Sequence, residues 1–256
     1  MRVTVIQKDI KWGEVKQNLA SFSELIDRAP ESDVYVLPEM FSTGFISGES
    51  SLCEREPAEG LAWMRETAAR KRAAVAGSIA LQLSDGRRLN RLYFVCPDGS
   101  TFHYDKRHLF GNENDDFTGG NEKVVVDYQG FRFLLAVCYD LRFPVWLRNA
   151  EGYDAMIIVA SWPASRRYAW DVLLQARAIE NHAYVIASNR VGRDPVAGYS
   201  GGSAIIDPMG SVTECCMDSA DDFCSTDLNM DKIEQARKRL QDIKDKYPEE
   251  WKILKV

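Results

Sequence analysis

The chain has 256 residues, of which 45% are apolar and 27% charged, the proportions of a folded globular protein and not of a disordered or fibrous one. At that length folding buries roughly three quarters of the unfolded surface, so a core needs neither disulfide nor metal, and small stapled scaffolds are excluded. With 32 basic against 38 acidic residues, a net charge of −6 and no long Lys/Arg run, nucleic acid is not expected as a main partner.

The opening segment, Met1-Arg2-Val3-Thr4-Val5-Ile6-Gln7-Lys8, lacks the apolar stretch of a secretory signal because Thr4 and Gln7 interrupt it, and it predicts a strand over 3–7. Val15, Leu19, Phe22, Leu25 and Ile26 then fall on one face of a helix. Further strands are predicted over 33–37, 74–80, 92–95, 124–126, 131–137, 155–160, 184–188, 203–206 and 223–226. Helical patterns fill 58–72, 164–181 and 231–244.

Ser84-Asp85-Gly86, Pro97-Asp98-Gly99 and Asp207-Pro208-Met209-Gly210 are turn signals that would close antiparallel hairpins. Met156-Ile157-Ile158-Val159-Ala160 is apolar at every position, as a strand covered on both faces would be. No repeat or linker interrupts the pattern, so one α/β domain with mixed, layered sheets is expected over 1–256. No window of about 18 apolar residues occurs, so no membrane span is expected. The six cysteines (Cys53, Cys96, Cys138, Cys215, Cys216, Cys224) lack framework spacing and read as free thiols, which fits a reducing cytoplasm.

Three segments could carry chemistry. Phe131 to Val137 runs as a buried-type strand straight into Cys138, and Tyr139-Asp140-Leu141-Arg142-Phe143-Pro144 then forces a turn. A rigid strand end would fix the sulfur, and the turn would leave backbone N–H groups to face a developing oxyanion. Taken alone, such a cysteine is as readily a packing residue. Val34-Tyr35-Val36-Leu37-Pro38-Glu39 ends a strand in a carboxylate, where α/β folds collect functional side chains, though a solvated glutamate reads the same way. Tyr104-Asp105-Lys106-Arg107-His108-Leu109-Phe110 offers a cation, or merely an exposed charge cluster. Gly198-Tyr199-Ser200-Gly201-Gly202 matches G-x-S-x-G, but a polar loop precedes it, a β-type run follows it, and no histidine lies beyond His182. Nucleotide and metal motifs are absent, so no cofactor or metal is expected.

The order Leu37-Pro38-Glu39-Met40-Phe41, Tyr104 to Phe110, Val137 to Pro144 resembles the Glu, Lys and Cys motifs of the nitrilase, or carbon–nitrogen hydrolase, superfamily. Residues 156–161, 174–181 and 188–192 also resemble later segments of that family, so the likeness spans nearly the whole chain. It is most similar to omega-amidases, which carry the same Met-Phe after the glutamate and Tyr-Asp-x-Arg-Phe-Pro after the cysteine. The resemblance implies a four-layer αββα sandwich of two mixed sheets flanked by helices. It implies that Glu39 is the general base, Cys138 the nucleophile, and Lys106 with the N–H of Tyr139 the oxyanion site. Glu113 matches an auxiliary glutamate in a shortened loop and would orient Lys106 or the substrate amide.

The implied reaction releases ammonia from the omega-amide of a small 2-oxo dicarboxylic acid monoamide through a cysteine thioester. Other branches of the family (nitrile hydrolase, carbamoylase, aliphatic amidase) and a non-catalytic binder on the same scaffold stay open. Arg142 is expected to grip the substrate carboxylate as a buried charge-assisted pair, or else to pair with Asp140 or another acid, while Phe45 and Trp162 match family pocket walls. Trp170 to Ile179 is apolar around more of its circumference than a one-sided helix needs. A homodimer partner or the chain's own residues 247–256 would cover it, and the family resemblance points to the dimer.

Overall fold

The computed structural model describes residues 1–246. The first half of the chain supplies β1 (Arg2–Gln7), α1 (Val15–Arg28), β2 (Val34–Val36), β3 (Glu54–Arg55), α2 (Glu59–Lys71), β4 (Ala74–Gln82), β5 (Arg88–Val95), β6 (Thr101–Asp105) and α3 (Glu113–Asp116). β1, β2 and β4 run parallel, and β4, β5 and β6 follow as an antiparallel meander closed by the two Asp-Gly turns expected from sequence. Side chains alternate across this sheet as its pleat requires. Val3, Val5, Val34, Val36, Ala74, Ala76, Leu92 and Phe94 face inward. Ile6, Tyr35, Leu37, Val75, Tyr93 and Val95 face Leu19, Phe22, Met64 and Ala68 of α1 and α2.

The second half supplies β7 (Val125–Tyr128), β8 (Phe131–Val137), β9 (Ala155–Ala160), α4 (Arg167–Asn181), β10 (Tyr184–Asn189), β11 (Val191–Arg193), β12 (Gly198–Ser200), β13 (Ala204–Ile206), β14 (Val212–Cys215), β15 (Asp222–Asp227) and α5 (Met230–Lys246). β8, β9 and β10 form a parallel centre, with β7 on one side and the antiparallel β13 and β14 on the other. β15 crosses back to pair with β1 in the first sheet. Trp170, Leu174 and Ala178 of α4 and Ile233 of α5 join the core that this sheet shares with the first. The stack is therefore helix, sheet, sheet, helix, the αββα sandwich expected. Continuous apolar runs at β8, β9 and β10 follow from burial on both faces.

Between the sheets Phe94 meets Tyr128 and Phe133 at ring-centroid distances of 5.5 and 5.8 Å, and removing such a ring costs about 3–5 kcal/mol. Ser188 donates to the Ile6 carbonyl across the same interface at 2.8 Å. Gly77 of β4 sits where a Cβ would lie 2.9 Å from the Cβ of Leu37, so the segment leading to Glu39 packs directly on the strand.

Three expectations shift. β5 begins at Arg88, not 92, because Arg88-Leu89-Asn90-Arg91 alternates and carries no apolar run. β6 and β14 escaped sequence reading for the same reason: they are edge strands with polar, partly exposed faces. Along α4, Tyr168, Val172 and Ile179 remain exposed beside the buried Trp170 and Leu174. The alternative cover, 247–256, lies outside the described residues. No helix of the described residues is long and apolar enough to cross a membrane.

Candidate active site

β8 delivers Cys138 into a 3-10 turn that spans Cys138–Arg142. Cys138 has φ +45°, a left-handed backbone that a non-glycine residue holds only when its surroundings impose it. Two groups do so. The buried Asp140 carboxylate accepts from the Val137 N–H at 2.9 Å, bending the chain back on itself. Arg177 of α4, also buried, donates through Nε and Nη2 to the Leu141 carbonyl at 3.1 and 2.7 Å.

Asp140 reaches further. It accepts from the Tyr104 hydroxyl at 2.8 Å and the His108 N–H at 3.0 Å, and His108 Nδ1 lies 2.7 Å away. These groups flank Lys106, so one carboxylate ties the cysteine turn to the lysine segment.

Lys106 lies at the end of β6 with its ammonium fully enclosed. Nζ donates to Glu39 Oε1 at 2.8 Å and to Glu113 Oε2 at 2.6 Å, and it lies 5.6 Å from the Phe45 ring centroid. Burial acts to strip the proton from Lys106, but the Glu113 and Glu39 carboxylates outweigh it and hold the ammonium above the ordinary lysine range. Glu113 itself is raised, by burial first and then by Glu39, while Lys106 and the Phe110 N–H pull against the rise.

Asn90 Nδ2 completes the array, donating to Glu39 Oε1 at 2.7 Å and Glu113 Oε1 at 3.2 Å. Glu39 Oε2 accepts from the Ser161 N–H at 2.8 Å, which links the end of β2 to the end of β9 in the opposite sheet.

The Cys138 thiol is pushed well up by burial and by Glu39, with Lys106 and the Ser161 N–H opposing. It opens on a cavity of about 250 Å³ lined by Phe45, Phe110, Tyr139, Arg142, Trp162 and Arg166, with Tyr199 at one wall. Phe45, Tyr139, Arg142 and Trp162 thus share one cavity with Cys138, and Glu39, Lys106 and Glu113 form a single buried array beside it.

One expectation is corrected in part. Arg142 does not pair with Asp140, whose oxygens are engaged elsewhere, and its grip is not buried: the side chain is exposed at the rim, 5.1 Å from the Trp162 ring centroid. The G-x-S-x-G segment forms β12 and a loop in which Gly201 and Gly202 take positive φ. A Cβ on Gly201 would strike Gln7 and one on Gly202 would strike Arg167. Those glycines serve close packing, and the segment's contribution to the cavity is Tyr199.

Sequence reasoning missed Asn90, Asp140 as an anchor, Ser161, Arg166 and Arg177. Asp140, Ser161 and Arg177 lay inside segments that carried the family resemblance but were given no role, while Asn90 and Arg166 carried no sequence signal.

No other thiol is among the described residues lining the cavity of Cys138. Burial pushes Cys53 and Cys96 up to about 11, and a hydrogen bond donated to Cys224, together with burial, raises Cys216.

Asp140→Ala would leave several buried donors unsatisfied. It is expected to lower stability by about 2–5 kcal/mol in denaturant unfolding, with Asp140→Asn losing less. An Asp140→Ala protein as stable as the parent would contradict the anchoring role.

A family model described as carbon-nitrogen hydrolase matches residues 2–238. Omega-amidase YafV of Yersinia enterocolitica is 41% identical over 244 residues, covering 93% of this chain and 94% of that protein. The 2-oxoglutaramate amidase of Bacillus subtilis is 33% identical over 218 residues, covering 82% of this chain and 84% of its own. Among solved structures, XC1258 of Xanthomonas campestris, a CN-hydrolase superfamily protein with an arsenic adduct in its active site, superposes with a TM-score of 0.91 at 36% identity, covering 96% of both chains. With its strand-end glutamate, lysine and cysteine meeting between two sheets, the chain belongs to the carbon-nitrogen hydrolase family of the nitrilase superfamily.

Proposed function

We propose that the enzyme is an omega-amidase, releasing ammonia from the terminal amide of a small 2-oxo dicarboxylic acid monoamide such as 2-oxoglutaramate or 2-oxosuccinamate. The observation that carries this reading is a buried carboxylate–ammonium–carboxylate array beside a strand-end cysteine, opening on a small cavity with an arginine at its rim. The names of the Yersinia and Bacillus relatives, which match most of the chain, support the substrate class.

Glu39 takes the thiol proton as the sulfur bonds to the amide carbon. Burial and the Glu39 carboxylate push the thiol up, which fits a proton lost as the sulfur attacks. The oxyanion is met by the Lys106 ammonium and the Tyr139 N–H, each donor being worth about 3–4 kcal/mol of barrier. Collapse breaks the carbon–nitrogen bond, Glu39 gives its proton to the departing nitrogen, and ammonia leaves a thioester on Cys138. Water, deprotonated by Glu39, then attacks the thioester; the acid departs and the thiol regains its proton. Glu113 keeps Lys106 charged and aimed. The reaction needs no metal or cofactor as written.

At the other end of the substrate, the free carboxylate meets Arg142, while Phe45 and Trp162 bound the short linker. Ammonia release from 2-oxoglutaramate and 2-oxosuccinamate should exceed that from glutamine, a neutral aliphatic amide and a simple nitrile. Because Arg142 is exposed, solvent weakens its pairing, and Arg142→Met should lower kcat/KM for 2-oxoglutaramate by about tenfold while barely changing the neutral amide. Faster turnover of the nitrile or the neutral amide would assign the enzyme to another branch. Equal losses on both amides would make Arg142 a support of the turn.

The exposed Tyr168, Val172 and Ile179 on α4 support a homodimer built through that helix, and the free thiols support work in the cytoplasm. Light scattering at micromolar concentration should return twice the chain mass. The mass of a single chain would refute the dimer.

A further inference from the structure

A second arginine lines the cavity. Arg166, half-buried just before α4, holds its guanidinium 4.6 Å from the Phe110 ring centroid, and Arg142 lies over Trp162 in the lining of the same cavity. Among the described residues neither has an ion-pair partner, whereas Arg91, Arg132, Arg167, Arg177 and Arg237 all do. No aspartate or glutamate is among the residues lining the cavity. The nearby buried carboxylates, Glu39 and Glu113, are engaged with Lys106 and Asn90. Two like charges facing one recess without a counter-ion make a field that an anion relieves and a cation worsens. Their aromatic seats restrict both side chains before any ligand arrives, so less ordering is lost on binding.

We propose that Arg166 acts with Arg142 as a pair that reads charge at the far end of the substrate, making Arg166 a specificity-determining residue. The pair accepts the carboxylate of a 2-oxo acid, whose neighbouring carbon carries only a carbonyl oxygen. It rejects the 2-amino acid amide, whose ammonium stands one carbon from the same carboxylate and would be held against two guanidiniums. The proposal rests on the amidase reading above and adds to it a physical reason for discrimination between 2-oxoglutaramate and glutamine. Neutral amides gain nothing from either arginine.

Arg166→Gln isolates the effect, because the Trp162 Nε1–H bond goes to the Arg166 backbone carbonyl and survives the change. Two readouts are paired. The first is kcat/KM for 2-oxoglutaramate and for glutamine. The ratio between them should fall by about tenfold, the 2-oxo acid losing and glutamine holding or gaining.

The second needs no turnover: peptide-mapped rates of Cys138 alkylation by anionic iodoacetate and by neutral iodoacetamide. Their ratio should fall several-fold in Arg166→Gln, and added salt should lower it in the parent enzyme. An alkylation ratio unchanged by the substitution overturns the proposal. So does a ratio that falls while discrimination against glutamine stays intact. If the parent hydrolyses no 2-oxo acid amide yet its alkylation ratio depends on Arg166, the charge-reading pair stands and the omega-amidase reading fails.

Discussion

An ammonium enclosed between two carboxylates is the constraint on which the site depends. Lys106 cannot be buried charged unless Glu39 and Glu113 accompany it, and neither carboxylate can be buried unless its remaining oxygen is also met by a donor. Asn90 meets the remaining oxygen of Glu113, the Phe110 N–H adds a second donor to the Glu113 oxygen that Lys106 holds, and the Ser161 N–H meets the remaining oxygen of Glu39. Each comes from a different part of the chain: a strand of the first sheet, the loop after β6, and the end of β9 in the second sheet. The array therefore forms only when both sheets are stacked in register, so the interior of the sandwich fixes geometry that a loop could not hold.

Cysteine geometry depends on the same stacking. The positive φ at Cys138 is maintained by Asp140 from within the turn and by Arg177 from α4, the helix that covers the second sheet. Asp140 also holds Tyr104 and His108 on either side of Lys106. Cys138 and Lys106 are thus positioned against each other by a shared carboxylate. Phe45, Arg142 and Arg166 line the cavity without taking part in these contacts.

Much of this was legible in the sequence, and the exceptions have physical causes. β8, β9 and β10 are buried on both faces and so announce themselves as unbroken apolar runs, and Cys138 was found because one of them stops at it. Glu39 and Lys106 were visible as charges at strand ends, although only the resemblance gave them roles. Asn90 was lost with the first half of β5, whose alternating Arg88-Leu89-Asn90-Arg91 looks like loop when read without its neighbours β4 and β6. Asp140 was read only as an alternative partner for Arg142, two residues on, whereas its carboxylate is held by the nearby Val137 N–H and by Tyr104 and His108, more than 30 residues away. Arg166 reads from sequence as an ordinary helix-start residue, and only the fold brings it to the cavity of Cys138.

The central claim is that Cys138, activated by Glu39 and facing Lys106, carries the acyl group during turnover. Peptide-mapped mass spectrometry after rapid acid quench with 2-oxoglutaramate tests it most directly. The peptide that holds Cys138 is expected to gain the mass of the substrate less that of ammonia, with neither adduct nor ammonia from Cys138→Ala. An acyl group on another residue, or ammonia release from Cys138→Ala at the parent rate, would contradict it.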